Sequence, residues 1–200
     1  MLANALTTAR LVLAAAFAVA VYALTPLQAP SLATMLLLVA LVLLEEATDV
    51  FDGILARRYG SVGQIGGLYD PLSDSLSRLT IYFAIALNGW ITLAVPLVMT
   101  LRDIIVAYVR VILAIDGAKT SARISGKIKA IIQGGAMPVV ILLPFAAAIW
   151  PKAPIAWVRP ACAWILVAVT LWSLADYIAS ALPSLRRLSA SAASREKSAA

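Results

Sequence analysis

Long apolar stretches recur along this chain of 200 residues, separated by short polar or proline-containing segments. Hydrophobic residue types make up 62% of the sequence and charged types only 13%, a balance that excludes an ordinary soluble globular domain. Inside a bilayer the backbone of each stretch must satisfy its own hydrogen bonds, and an α-helix does so within one segment. The sequence therefore predicts an all-α integral membrane protein.

Six of these stretches are predicted to be transmembrane helices, and residues 1–10 are predicted to form a short amphipathic helix before them. The approximate limits of the spans are Leu11–Leu24, Leu32–Leu44, Gly66–Leu87, Ile91–Ile115, Ala130–Trp150 and Ala161–Leu182. Residues 1–182 would then be one membrane domain. The polar residues 183–200 are predicted to be a cytoplasmic tail that is partly disordered.

Lysine and arginine residues fall mainly on one side of this topology. An even number of spans places both termini on the same side, together with Arg57, Arg58, the basic segment 119–129 and Arg186–Arg187. The opposite loops carry only Lys152 and Arg159. The positive-inside rule thus predicts a multi-pass protein of the plasma (inner) membrane with cytoplasmic termini. The formal charge of +6 is a topology signal in this interpretation, and no nucleic-acid partner is expected.

Four aspartates lie close together in the otherwise apolar chain. Asp49 and Asp52 are three residues apart, and Asp70 and Asp74 are four apart, so each pair shares one face of a helix. Glycines and a short polar turn separate the two pairs, which predicts a helical hairpin. The topology puts both pairs at one depth, just inside the cytoplasmic face.

Such a cluster of carboxylates requires a cation. Two carboxylates about 5 Å apart repel by roughly 3 kcal/mol at an effective dielectric near 20. The chain has no histidine and a single cysteine, which excludes zinc and most transition metals. Oxygen ligands suit Mg²⁺, Mn²⁺ or Ca²⁺, and we expect one or two Mg²⁺ or Mn²⁺ ions.

A simpler interpretation is that the acids pair with arginines as structural ion pairs, with Arg78, Arg102 and Arg110 as candidates. The neighbouring glycines, Gly53, Gly63, Gly66 and Gly67, favour a ligand site instead. They remove side chains from the same region and would let a bulky phosphorylated ligand approach closely, although glycines also serve helix packing.

The spacing of these residues is D-x2-D-G-x2-A-R-x8-G-x3-D-x3-D, which resembles the signature of the CDP-alcohol phosphotransferases. The chain matches it without a gap at Asp49, Asp52, Gly53, Ala56, Arg57, Gly66, Asp70 and Asp74. The six-span layout is also similar to that of the family. The resemblance thus covers most of the chain.

The resemblance implies an enzyme that holds two divalent metal ions, Mg²⁺ or Mn²⁺, with Asp49, Asp52, Asp70 and Asp74. It also implies a pocket for the cytidine diphosphate group formed by Asp49, Gly53, Ala56, Arg57 and Gly66. Asp74 would be the general base that deprotonates an acceptor alcohol. The alkoxide would attack the β-phosphate of CDP-diacylglycerol and release CMP. The family further implies a homodimer among membrane lipids.

A cationic group on the fourth and fifth spans indicates an anionic acceptor such as a sugar or glycerol phosphate. Its members are Arg102, Arg110, Lys127 and Lys129. The alternative for the two lysines is that they are topology charges at a helix start. The segments NALTTAR, RDIIVAYVR and SGKIKAIIQ resemble the phosphatidylglycerophosphate synthases of this family, which implies glycerol 3-phosphate as the acceptor.

Other functions stay open at the level of the sequence. Ser75, Asp103 and Ala130 stand where those synthases usually have Lys, Glu and Thr, so inositol phosphate, serine or phosphatidylglycerol are alternative acceptors. A membrane carrier of metal ions or protons would also use intramembrane acids, but its acids would form a path across the bilayer. A lipid-binding homologue without turnover is the third alternative, and the complete motif opposes it.

Overall fold

The structure is a computed structural model that describes residues 2–25, 31–59, 66–115, 124–150 and 155–199. Within these ranges, it does not describe the side chains of residues 2–7, 49, 50, 52–59, 66–68, 70, 115, 155 and 191–199. The described residues form six helices: α1 Leu2–Leu24, α2 Leu32–Tyr59, α3 Gly66–Leu87, α4 Ala94–Ile115, α5 Ile124–Ile149 and α6 Ile155–Ala199. No strand occurs among them. The predicted all-α class is confirmed for this part of the chain.

Several helices are longer than the apolar spans predicted from the sequence. Residues 2–10 are the first turns of α1 and do not form a separate amphipathic helix, since no proline or glycine interrupts Leu2–Leu24. Likewise α6 continues to Ala199 through the segment for which partial disorder was predicted. That segment is rich in alanine and contains arginine, lysine and leucine, all strong helix formers. Hydropathy locates the apolar part of a helix and does not fix where its backbone hydrogen bonds end.

The helices are arranged as a ring. In the described part of the chain each helix packs against two principal neighbours, in the order α1, α2, α5, α6, α4, α3 and back to α1. A smaller contact between α3 and α5 crosses the ring. Helix α1 therefore lies between α2 and α3, the two helices that carry the aspartates.

The relative direction of α1 and α3 follows from polar contacts at both ends of these two helices. The Thr8 and Tyr69 hydroxyl groups are 3.2 Å apart near the start of these helices. At their other end, Asn88 Nδ2 donates to Thr25 Oγ1 at 2.6 Å. Helices α1 and α3 are therefore parallel, as the predicted up-and-down topology requires.

The core is apolar at its centre, and large apolar side chains also cover the outside. Phe17, Leu38 and Tyr82 are among the fully buried residues that fill the space between the helices. On the outer surface, Val19 and Trp164 are 67% and 72% exposed. So much exposed apolar surface would be a liability in water and is expected against lipid.

Two of the described helical segments are long and apolar enough to cross a membrane, Ile124–Ile149 and Ala156–Ala190. A shorter apolar segment covers Thr8–Leu24. Together with the apolar exterior, these segments indicate a membrane protein. The full set of six spans stays a prediction.

Candidate active site

The aspartates of the sequence pattern lie on the two helices that flank residues 60–65. Asp49 and Asp52 belong to α2, whereas Asp70 and Asp74 belong to the first turns of α3. Only Asp74 has a described side chain, so contacts among the four carboxylates lie outside the described residues. Their backbone positions are nevertheless fixed by the contacts between the helices.

Two polar contacts set the register between α2 and α3. Ser77 Oγ donates to Glu45 Oε1 at 2.6 Å. Next to it, Arg78 Nη2 lies 3.2 Å from Glu46 Oε1 in a hydrogen-bonded ion pair. Both contacts join the deeper parts of the two helices, on the side away from residues 60–65.

The aspartate positions follow from this register. Asp49 lies about one helical turn after the Glu45–Glu46 pair in α2, and Asp74 lies about one turn before the Ser77–Arg78 pair in α3. Since the chain leaves α2 and returns along α3, these two positions stand at the same level of the bundle. Asp52 and Asp70 belong to the next turn towards residues 60–65. The backbone thus brings the four acidic positions to one end of the bundle.

Helix α1 contributes a residue that the sequence analysis did not assign to the site. Arg10 is 2% exposed and its Nη1 atom contacts Asp74 Oδ1 in an ion pair. The Asp74 side chain itself is 38% exposed, so it can be reached from outside the bundle. A signal for Arg10 was present, because it is the only basic residue among the first 50. A lone arginine in an apolar helix needs an acidic partner.

Glu45 and Glu46 form a second layer, one turn deeper than Asp49. Glu45 is buried, and its Oε1 atom accepts the Ser77 hydrogen bond. Glu46 packs directly on α5, where a Cβ atom added to Gly134 would lie 2.7 Å from Glu46 Oε1. Two adjacent acids at the end of an apolar span were the available signal. Their partners, on α3 and α5, could not be read from the sequence.

The predicted acceptor cations fall into two environments. Arg102 and Lys129 are buried, with exposures of 7% and 6%. Asp103 Oδ1 accepts from Arg102 Nη1 at 2.8 Å and from Lys129 Nζ at 2.9 Å. A further bond joins Arg102 Nη2 to Ser173 Oγ at 2.8 Å. This cluster of Arg102, Asp103 and Lys129, called the Asp103 triad, connects α4, α5 and α6 together with Ser173.

Arg110 and Lys127 lie closer to the cytoplasmic ends predicted for α4 and α5. Arg110 Nε donates to the Tyr177 hydroxyl at 2.7 Å, with its guanidinium carbon 5.2 Å from the ring centroid. Arg102 approaches the same ring at 5.9 Å, so Tyr177 stands between the two arginines. Lys127 is exposed and has no acidic partner among the described residues. Tyr177 gave no signal in the sequence, because an aromatic residue in an apolar helix is usually part of the core.

Whether this site suits a divalent metal depends on its donor atoms. Within the described residues no group of three potential ligand side chains occurs, but the side chains of Asp49, Asp52 and Asp70 are not among those residues. The donors at these positions are all carboxylate oxygens, the ligand type that hard divalent cations prefer. Asp74 is accessible and forms an ion pair with Arg10. The donor set therefore fits Mg²⁺ or Mn²⁺.

Comparison with known proteins gives consistent matches. The family model described as CDP-alcohol phosphatidyltransferase matches residues 1–175. A protein of Escherichia coli (strain K12) named CDP-diacylglycerol–glycerol-3-phosphate 3-phosphatidyltransferase is 30% identical over 173 residues, covering 82% of this chain and 86% of the relative. A protein of the same name from Shigella flexneri serotype 5b (strain 8401) has the same identity and coverage. One from Salmonella choleraesuis (strain SC-B67) is 29% identical over the same length.

Proposed function

We propose that this chain, which belongs to the CDP-alcohol phosphatidyltransferase family of enzymes, transfers the phosphatidyl group of CDP-diacylglycerol to the hydroxyl group of glycerol 3-phosphate and releases CMP. One observation carries the proposal: the uninterrupted eight-residue pattern between Asp49 and Asp74 lies on two helices joined at one end of the bundle. The named relatives match most of the chain, and their names give glycerol 3-phosphate as the acceptor.

Asp49, Asp52, Asp70 and Asp74 would hold the divalent ions, and we propose two ions of Mg²⁺ or Mn²⁺. Enzymes of this family generally depend on a divalent metal. When bound there, such ions would supply positive charge to the diphosphate and to the departing CMP. Four carboxylates at one end of the bundle would otherwise repel one another, which supports this assignment.

The cytidine diphosphate group would bind along the last turns of α2. Gly53 follows Asp49 by four residues, and Ala56 and Arg57 follow Gly53 by three and four, so the four positions share one side of that helix. Gly53 and Ala56 leave space on this face, and Arg57 offers a guanidinium group for the diphosphate. Gly66, the first residue of α3, would close the pocket from the other helix.

Asp74 is proposed as the general base. Its carboxylate accepts the proton of the acceptor hydroxyl group while the oxygen attacks the β-phosphate, and the bond to CMP breaks. The ion pair with Arg10 orients the Asp74 carboxylate. Arg10 is therefore a positioning residue in this proposal.

Glycerol 3-phosphate carries a phosphate that needs cations. Arg110 and Lys127 are the candidates for direct contact, because neither pairs with an acid among the described residues. Arg102 and Lys129 already share Asp103, so we assign them a supporting role that fixes the spacing of α4, α5 and α6. The supporting observation is the hydrogen bond from Arg110 to the Tyr177 hydroxyl, whose ring Arg102 also approaches.

The proposal places the enzyme as a six-span protein of the plasma (inner) membrane, with termini and active site on the cytoplasmic side and a homodimeric assembly. The uneven distribution of lysine and arginine supports the orientation. The parallel course of α1 and α3 also agrees with it, since both helices would leave the cytoplasmic face.

The test is CMP release by the purified chain in lipid vesicles with CDP-diacylglycerol and Mg²⁺ or Mn²⁺. Glycerol 3-phosphate, serine, inositol phosphate and phosphatidylglycerol are supplied one at a time. We expect CMP only with glycerol 3-phosphate. Release with another acceptor alone would overturn the acceptor, and no release with any acceptor would overturn the reaction.

A further inference from the structure

A groove opens between the first turns of α4 and α6, far from the aspartates. Its volume is about 390 Å³, within the range of ligand-binding pockets. Arg159, at its edge, donates from Nη1 to the carbonyl oxygen of Gly89, just past the end of α3. Gly89 lies 15 residues after Asp74, which is roughly 20 Å along a helix axis. The groove is therefore separate from the candidate active site.

The walls of the groove are almost entirely apolar. Ala94 and Val98 form its α4 side, and Ala163, Trp164 and Val167 form its α6 side. The alanines leave space between two neighbouring helices, and Trp164 covers that space from outside with most of its ring exposed. Tryptophan is enriched where a membrane protein meets the interface between lipid and water. An unbranched acyl chain has the shape and chemistry to fill such a groove.

The single charge on the groove belongs to Arg159. Its side chain is exposed and has no acidic partner among the described residues. A guanidinium group carries five N–H donors in a planar fork that matches phosphate oxygens, and the 3.3 Å bond to Gly89 uses only one of them. The charge is thus available to an anion lying beside the apolar walls.

We propose that this groove binds an anionic phospholipid, with one acyl chain between α4 and α6 and the phosphodiester against Arg159. A phospholipid carries an apolar chain and a phosphate in one molecule. The chain suits the apolar walls of the groove, and the phosphate suits Arg159. The site goes beyond the transfer reaction and is not one of its substrate pockets. By the predicted topology it faces the opposite membrane leaflet from the aspartates.

The experiment measures quenching of Trp164 fluorescence by brominated lipid. The full chain is reconstituted in phosphatidylcholine vesicles that contain dibrominated phosphatidylglycerol or, in a parallel set, the same fraction of dibrominated phosphatidylcholine. The Trp164 signal is the difference between the parent chain and Trp164→Phe. We expect an apparent affinity about fivefold higher for the anionic lipid, the effect of one basic residue at a membrane surface.

Two matched pairs of variants connect this preference to the groove. Arg159→Gln should bring the two lipids to parity, whereas Arg186→Gln, at the other end of α6, should keep the preference. Val98→Phe fills the groove and should lower quenching by both lipids. Leu101→Phe, on the exposed face of the same helix outside the groove lining, should not. Correct folding is checked by gel filtration and thermal unfolding.

Three results would overturn the proposal. Equal quenching by both lipids in the parent would show no recognition of the anion. A preference that survives Arg159→Gln would place the anion elsewhere. Protection of Trp164 from both lipids, with a change of particle mass in Val98→Phe, would make a second copy of the chain the occupant. Because the readout is lipid binding, each result is independent of whether the chain releases CMP.

Discussion

Arg10 of α1 forms an ion pair with Asp74 of α3, the residue to which the family pattern assigns the proton transfer. The arginine is buried, whereas the aspartate can be reached from outside the bundle. A helix that carries none of the pattern residues therefore takes part in the site.

Substitution of Arg10 should impair catalysis more than substrate binding. Arg10→Gln removes a charge-assisted contact, commonly worth about 1.5–3 kcal/mol, so we expect kcat to fall by about tenfold or more. Arg10→Lys should recover part of kcat. Steady-state rates of CMP release give kcat for both variants. An unchanged kcat in Arg10→Gln, with a folded protein, would remove Arg10 from the site.

Asp74→Asn should strongly reduce CMP release, because the amide cannot accept the proton. The substitution also removes the acidic partner of buried Arg10, so thermal unfolding is measured alongside activity. The expected loss is at least about a hundredfold, the lower range for general base catalysis. Chelation of divalent ions with EDTA should abolish release by the parent chain, and added Mg²⁺ or Mn²⁺ should restore it. Substantial turnover by Asp74→Asn would contradict the assignment of the base.

The Asp103 triad should be a determinant of stability. Asp103→Asn leaves Arg102 and Lys129 buried without an acid, and breaking a buried ion pair costs about 3–5 kcal/mol. We expect a clearly lower midpoint of thermal unfolding in detergent. Asp103→Glu, which keeps the charge, is the matched control and should unfold close to the parent. Asp103→Asn combined with Lys129→Met should recover part of the loss, because one unpaired charge is gone.

Two adjacent glycines of α5 give a further stability comparison. Gly134→Ala places a methyl group 2.7 Å from Glu46 Oε1, so the carboxylate end of Glu46, which pairs with Arg78, must shift. We expect a destabilisation of about 1–3 kcal/mol, as for other overpacked sites. Gly135→Ala meets nothing within 4 Å and should be neutral or stabilising by up to about 1 kcal/mol through helix propensity. Equal unfolding of the two variants would contradict the close contact between α2 and α5.

Recognition of the acceptor should depend on Arg110. Arg110→Gln is expected to raise KM for glycerol 3-phosphate by about tenfold, the effect of one charge-assisted hydrogen bond. Tyr177→Phe keeps the ring under Arg110 and loses only the hydroxyl, so a smaller rise is expected. KM for CDP-diacylglycerol should change little in both. If KM for glycerol 3-phosphate is unaffected in both variants, the acceptor phosphate binds elsewhere.

The helices were predictable because long apolar segments leave few other solutions, and the acidic positions were predictable because they recur at helical spacing. Helix ends were harder to predict. Helix α5 begins at Ile124, whereas the predicted apolar span begins at Ala130. Hydropathy reports which residues avoid water, and a helix can extend beyond them wherever its backbone bonds continue.

The polar partners that residues find on other helices could not be predicted from the sequence. Arg102 and Ser173 are 71 residues apart, and only the packing of α4 against α6 brings them together. The same holds for Arg10 and Asp74, which meet because α1 lies between α2 and α3. Charge patterns identified Arg102 and Lys129 as available cations. They could not reveal that Asp103 forms an ion pair with each of them.

The ring order has a consequence for biosynthesis. Helix α4 delivers Arg102 and Asp103 before the ribosome has made Lys129 or Ser173, so the polar cluster cannot be completed by a nascent chain that ends at α4. Helix α6 contacts both α4 and α5, and it is the last of these helices to be synthesised, so it completes the ring. Chains truncated before α6 should therefore be recognised by quality-control proteases, although every residue of the catalytic pattern has already been synthesised.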